Sequence, residues 1–195
     1  VTSVSASEVE VSANMALTNH YVWRGMSQTD NLPAVQGGID LGYKGAYIGV
    51  WASNVDFNDN KNSSEIDVYV GYAGEVDKFS YDVNLAQYTY PGAVSESNFA
   101  EAALTLGYDF DVLSVSAKYY MGIDTNDLDT AAEETADGWK PGNGWEAGVS
   151  IPVPGDISLD ATYGDYGTGD EAVGAYYYVG ASKTFGKFDV SIAYT

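Results

Sequence analysis

The sequence predicts an all-β fold: a transmembrane, antiparallel, up-and-down β-barrel of about twelve strands, of which eleven are readable. Three observations predict it. Apolar and polar residues alternate with period two in run after run of the 195-residue chain, as they do in strands with one apolar face. Long polar connections and tight turns alternate along the chain, which would gather long loops at one end of a barrel and turns at the other. Tyr, Trp and Phe concentrate near strand ends, where membrane barrels carry aromatic girdles.

Composition narrows the function classes. Asp and Glu number 28 against 8 Lys and Arg, a net charge of −20, so nucleic acid is not an expected partner, since phosphate binding needs a basic surface. There is no Cys, hence no disulfide framework or thiolate metal site. At 45% hydrophobic residues in regular alternation, the chain can bury enough surface to fold despite its acidity. No apolar run reaches the ~18 residues of a membrane helix, a limit that does not touch barrels, whose strands need only ~9–11. Residues 1–7 read as a flexible N-terminus or a signal-peptide remnant, with Val4-Ser5-Ala6 spaced like a cleavage site. Residues 8–195 read as one barrel domain.

The first run, Glu8 to Trp23, places Val9, Val11, Ala13, Met15, Leu17, Tyr21 and Trp23 on one face. Glu10, Ser12, Asn14, Thr18, His20 and Arg24 fall opposite. The polar loop SQTDNLP follows. The second run sets Val35, Gly37, Ile39, Leu41 and Tyr43 against Gln36, Asp40 and Lys44, and Lys44-Gly45 turns tightly into the third. That third run, Ala46 to Phe57, has apolar residues in both phases, so its outward face stays open: a one-residue shift flips a strand.

Later runs repeat the plan. Ile66, Val68, Val70 and Tyr72 oppose Asp67, Tyr69 and Gly71. Phe79, Tyr81, Val83 and Leu85 oppose Ser80, Asp82 and Asn84. Ala100 to Phe110 opposes Glu101, Thr105 and Asp109. Leu113 to Met121 opposes Ser114, Ser116 and Lys118. Past a long acidic connection from Asp124 to Asn143, Trp145 to Ile151 opposes Glu146 and Ser150, and Ile157 to Tyr163 opposes Ser158, Asp160 and Thr162. The loop DYGTGDE precedes Ala175, Tyr177, Val179 and Ala181, which oppose Tyr176, Tyr178 and Gly180. Phe188, Val190, Ile192 and Tyr194 oppose Asp189 and Ser191.

With the apolar faces toward lipid, the girdle would comprise Tyr21, Trp23, Tyr43, Tyr72, Phe79, Tyr108, Phe110, Trp145, Phe185 and Phe188. The pore lining would comprise Glu10, His20, Arg24, Asp40, Asp67, Asp82, Glu101, Lys118, Glu146, Asp160 and Asp189. An acidic lining favours cations. A soluble sandwich or lipocalin-like barrel burying the same aromatics is the competing architecture. Eleven strands would leave an exposed edge, which lipid does not tolerate, so a twelfth strand outside the sequence, or another closure, is expected.

Specific blocks also match a known family. Tyr21-Val22-Trp23-Arg24-Gly25, Ser27-Gln28, Pro33-Ala34-Val35-Gln36-Gly37-Gly38, Gly49-Val50-Trp51 and Ser53-Asn54-Val55 resemble the TorF-like porins of bacterial outer membranes, strongly over about residues 10–60 and diffusely beyond. The resemblance implies a Gram-negative outer-membrane location and a pore, and a final strand with a terminal aromatic that this chain lacks. It implies no particular substrate.

No constellation points to catalysis. A single His, His20, and no Cys exclude three-His and thiolate zinc sites, so the protein is not expected to be an enzyme and no cofactor is expected. Asp56, Asn58, Asp59 and Asn60 loosely match a calcium loop without its Gly and bidentate Glu and read better as solvated loop, as do Asp124, Asp127, Asp129, Glu133, Glu134 and Asp137. The expected function is passive diffusion of small cationic or neutral solutes through an acidic lumen. The alternative is a non-conducting barrel with a structural or complex-forming role, its acidic loops being the functional part. Expected partners are outer-membrane lipid, small solutes or cations, and an oligomer or membrane complex.

Overall fold

The structure, a computed structural model, describes residues 2–6, 9–57, 63–91, 98–124, 141–168 and 171–195. Among these residues there is no helix, and twelve strands form one antiparallel sheet. In sheet order they are β1 (Thr2–Ala6), β2 (Val9–Thr18), β5 (Ala34–Tyr43), β6 (Ala46–Asn54), β7 (Ser64–Val76), β8 (Phe79–Thr89), β9 (Phe99–Asp109), β10 (Ser114–Asp124), β11 (Asn143–Val153), β12 (Ile157–Thr168), β13 (Glu171–Phe185) and β14 (Phe188–Tyr194). Two further strands, β3 (Val22–Trp23) and β4 (Met26–Ser27), form a separate hairpin between β2 and β5.

Every neighbour in the sheet is the next main strand in sequence. The period-two pattern therefore carries from strand to strand: Ile39 lies beside Val50, and Val50 beside Val68. The face they share is exposed and apolar, as at Met15 (78%) and Ile192 (77%). The opposite face holds the buried acids Glu65, Asp67 and Glu101, and Arg24 of the separate hairpin packs against it. A water-soluble sheet distributes polarity the other way round.

Register resolves the third run. Ile48 and Val50 lie on the exposed apolar face, while Tyr47, Trp51 and Val55 turn inward. Tyr47 fits there because the position beside it is glycine: a Cβ on Gly71 would lie 2.3 Å from the Tyr47 ring.

Three expectations change. The first run is not one strand from Glu8 to Trp23. It ends at Thr18, and the chain folds back as β3 and β4. The DYGTGDE segment is largely strand, with β12 reaching Thr168 across an irregularity at Tyr166/Gly167 and β13 starting at Glu171. Thr2–Ala6 is paired with β2, from Thr2↔Ala13 to Ala6↔Val9. Asn58, Asp59 and Asn60 of the calcium-like loop, and Asp127, Asp129, Glu133, Glu134 and Asp137, lie outside the described residues. Among the described residues no group of three acids or His is placed to hold a metal.

Candidate functional site

The site is built around the tip of the β3–β4 hairpin. Its turn is Arg24-Gly25, with both residues at positive φ, +49° and +79°. That is the type I′ geometry, which favours Asn-Gly or Gly-Gly. A non-glycine residue there costs about 1–2 kcal/mol, so Arg24 is held by what its side chain meets. Gly25 is needed twice over: for its φ, and because a Cβ would lie 2.9 Å from the Tyr176 Cβ.

The base of the hairpin is fixed by its own hydrogen bonds. Thr29, fully buried, donates through Oγ1 to the Leu32 carbonyl (2.6 Å) and accepts from the Tyr21 amide (3.2 Å). The Gln28 amide donates to the Tyr21 carbonyl at 2.8 Å, and the Asp56 amide to the Gln28 carbonyl at 2.8 Å. His20 Nε2 and Ser27 Oγ lie 2.8 Å apart. These bonds aim the tip at the inner face of strands far along the chain.

There Arg24, 7% exposed, makes a fork-to-fork pair with Glu101, 2% exposed. Nη1 donates to Oε2 at 2.6 Å and Nη2 to Oε1 at 2.7 Å. Three rings cover the guanidinium, whose Cζ lies 3.5 Å from the Tyr120 centroid, 4.2 Å from Trp23 and 4.9 Å from Tyr166. Burial works against the charge, but the hydrogen bonds and negative charge of Glu101 outweigh it, and the guanidinium is held above its ordinary value. Trp23 meets Tyr166 edge-on at 5.2 Å and also touches Tyr88 and Phe99, which stack at 4.4 Å across the β8–β9 pair.

The structure gives the expected lining residues different surroundings. Glu10, Asp40, Asp67, Asp82, Glu101, Lys118, Glu146, Asp160 and Asp189 all fall in the inward phase of their strands. Several are taken up by neighbours. Tyr69 donates to Asp40, Tyr176 to Glu146, and Tyr47 to Asp82 at 2.8 Å. Lys118 stands directly opposite Glu146 in the β10–β11 register. Glu65 and Asp67, two residues apart on β7, are both buried, and Glu65 Oε2 and Asp67 Oδ1 carry no hydrogen bond among the described residues. Tyr21 donates to the other Glu65 oxygen at 3.3 Å.

Tyr21 and Trp23, expected among the outward aromatics, instead face inward: Tyr21 packs edge-on against Trp51 at 5.6 Å, and Trp23 sits in the ring cluster. The alternation that placed them outward fails because the strand stops at Thr18. Tyr43, Tyr72, Phe79, Tyr108, Phe110, Trp145, Phe185 and Phe188 are exposed. Tyr88, Tyr120, Tyr166 and Tyr176 were missed as site residues. Their signal is an aromatic in the polar phase, as where Tyr120 continues Ser114, Ser116 and Lys118.

Toward the tight turns, the inner face opens into a cavity of about 370 Å³ lined by small polar residues, among them Ser80, Thr105, Ser116, Ser150, Asp160 and Thr162. Ser158 donates to Asp160 at 3.1 Å and shares a 2.9 Å contact with Ser150.

A family model described as a bacterial protein of unknown function (Gcw_chp) matches residues 2–195. The chain belongs to that family. No curated protein matches it. The match spans both the hairpin and every strand that seats it, so the Gcw_chp region contains the whole site.

Proposed function

We propose that the curled sheet is the wall of a bacterial outer-membrane β-barrel whose inner face lines a narrow acidic passage for small cationic or neutral solutes, constricted by the β3–β4 hairpin. The inverted polarity carries this reading: large apolar side chains cover the exposed face of strand after strand, and the buried residues include five ionisable or amide side chains, Arg24, Gln28, Glu65, Asp67 and Glu101. Such a surface suits lipid, and its strands match membrane-barrel lengths. Closure needs β14 to pair with β1. In a strictly antiparallel order of twelve strands, the first and last run oppositely, so they meet as an antiparallel pair. Both flank the end where Gly186-Lys187 turns. The resemblance to TorF-like porins points the same way.

The test has two stages. Purified protein is examined for detergent dependence and heat-modifiable gel migration; a chain soluble and folded without detergent sinks the membrane reading. Planar bilayers then measure conductance. Cation-preferring channels are expected, with the preference reduced when Asp40, Asp82 and Glu101 are neutralised together.

One observation favours a second reading, a closed barrel with a structural or complex-forming role. Arg24 neutralises Glu101, and tyrosine hydroxyls take up Asp40, Asp82 and Glu146. Silent bilayers from protein that keeps its heat-modifiable migration decide for it.

A further inference from the structure

The guanidinium of Arg24 occupies a site that the rest of the chain builds without it. Glu101 comes from β9, Tyr120 from β10 and Tyr166 from β12, so the wall of the site is made by three strands remote from the hairpin. Tyr120 has its own support. The Tyr120 hydroxyl donates to the Asp165 carbonyl at 3.3 Å and lies 3.2 Å from the Tyr176 hydroxyl, which in turn donates to Glu146. The Tyr120 ring lies over Gly144, where a Cβ would come within 2.5 Å of it. A carboxylate fork facing planar rings recognises a planar, delocalised cation better than a compact ammonium.

The tip that delivers Arg24 does not prefer its own conformation, because Arg24 sits at φ +49°. The seat is separated from open space by the buried Ala103. Below Glu101 on the inward phase of β9 lie Ala103, Thr105 and Gly107, and the last two line the cavity at the tight-turn end. The net charge of −20 raises the local concentration of cations.

We propose that Glu101, Tyr120 and Tyr166 form a binding site for small guanidinium-bearing solutes, and that Arg24 fills it in cis as a tethered ligand. A free guanidinium compound competes with Arg24 for the carboxylate fork, and its binding releases the hairpin tip. The site belongs to the folded chain whether or not the barrel conducts, so this proposal and the conductance reading fail in separate experiments.

The test uses the full chain in detergent, with Arg24→Ala to vacate the site and leave Trp23 in place. Methylguanidinium chloride, well below denaturing concentration, is the probe, and methylurea is the uncharged control. The readout is the thermal midpoint of the heat-modifiable band and of tryptophan fluorescence. Arg24→Ala is expected to show a saturable rise in midpoint with methylguanidinium and none with methylurea. The rise is expected to vanish in Arg24→Ala/Glu101→Gln. Wild type is expected not to respond over the same range, because a tethered side chain competes at an effective concentration on the order of millimolar or more.

No saturable response in Arg24→Ala overturns the proposal. So does an equal response in the double variant or in wild type, which would locate the binding elsewhere. If Arg24→Ala does not fold, Arg24→Gln, which keeps most of the stem against the rings, replaces it, and refolding yield with and without methylguanidinium becomes the readout. A yield indifferent to the cation likewise overturns it.

Discussion

The two ends of the inner face are made from the same strands yet differ in kind. Toward the long loops, the inward side chains are large and buried, and the hairpin tip sits among them with Arg24, Thr29, Glu101, Tyr120 and Tyr166 all buried. Toward the tight turns, the same strands carry Ser80, Thr105, Gly107, Ser116, Gly148 and Ser150, and a cavity of about 370 Å³ remains. Along β9 the change takes three inward positions, from Glu101 through Ala103 to Thr105. The outer face shows no such change and is apolar at both ends. Side-chain size on the inward phase, rather than the course of the backbone, decides where this sheet is filled and where it is open.

The largest expected break in that contrast comes from the ion pair. Glu101→Ala strands a buried guanidinium, a loss of about 3–5 kcal/mol, to be read as a lower midpoint of heat-modifiable migration and a red-shifted Trp23 emission. Asp160→Asn, on the open side, should change stability by no more than about 0.5 kcal/mol. Comparable losses from the two would erase the distinction between the ends.

Paired glycine substitutions test it more finely. In Gly144→Ala the new methyl meets the Asp165 carbonyl and the Tyr120 ring, both at 2.5 Å, and overpacking of this sort costs about 1–3 kcal/mol. In Gly148→Ala the nearest atom is the Ser116 hydroxyl at 2.6 Å, which can rotate into the cavity, so the loss should stay under about 1 kcal/mol. Denaturant midpoints of the two variants measure the difference.

Smaller again is the effect of Asp67→Asn. It replaces a buried acid, one oxygen of which has no hydrogen bond among the described residues, and should raise stability by about 1 kcal/mol; a decrease would show that the acid is satisfied by its neighbours.

The smallest effect is in alkaline titration. Burial, reinforced by Glu65 and Asp67, pushes the phenols of Tyr21 and Tyr90 up. A raised value in the folded state means that their contribution is complete below the unfolded value of about 10 and is lost as pH rises beyond it. Phenolate absorbance should therefore show late-titrating tyrosines, fewer of them in Tyr21→Phe.

Much of this sheet was legible because its polarity is simple. Where each phase is uniformly apolar or polar, as on β8 with Phe79, Tyr81, Val83 and Leu85 against Ser80, Asp82 and Asn84, the sequence places both faces. It failed where both phases carried apolar residues, on β6, because Tyr47 and Trp51 are inward aromatics whose space depends on neighbouring strands. It also failed at Trp23. Asn19 interrupts the apolar phase, but alternation resumes at Tyr21 and Trp23, and Arg-Gly is not a common type I′ pair, so one polar position did not announce a fold-back. The aromatic seat was illegible for the same reason: its members come from separate strands, each only a tyrosine in a polar phase.

The hairpin also sets an order of assembly. Its strands lie between the second and third members of the sheet, but Arg24 finds its partner 77 residues downstream, and Gly25 rests against Tyr176. The seat does not exist until β9, β10 and β12 are side by side, and contacts that close such long loops form late. Trp23 should therefore report the last folding step rather than the first: its environment should change after the strands have paired, although it is among the first residues synthesised.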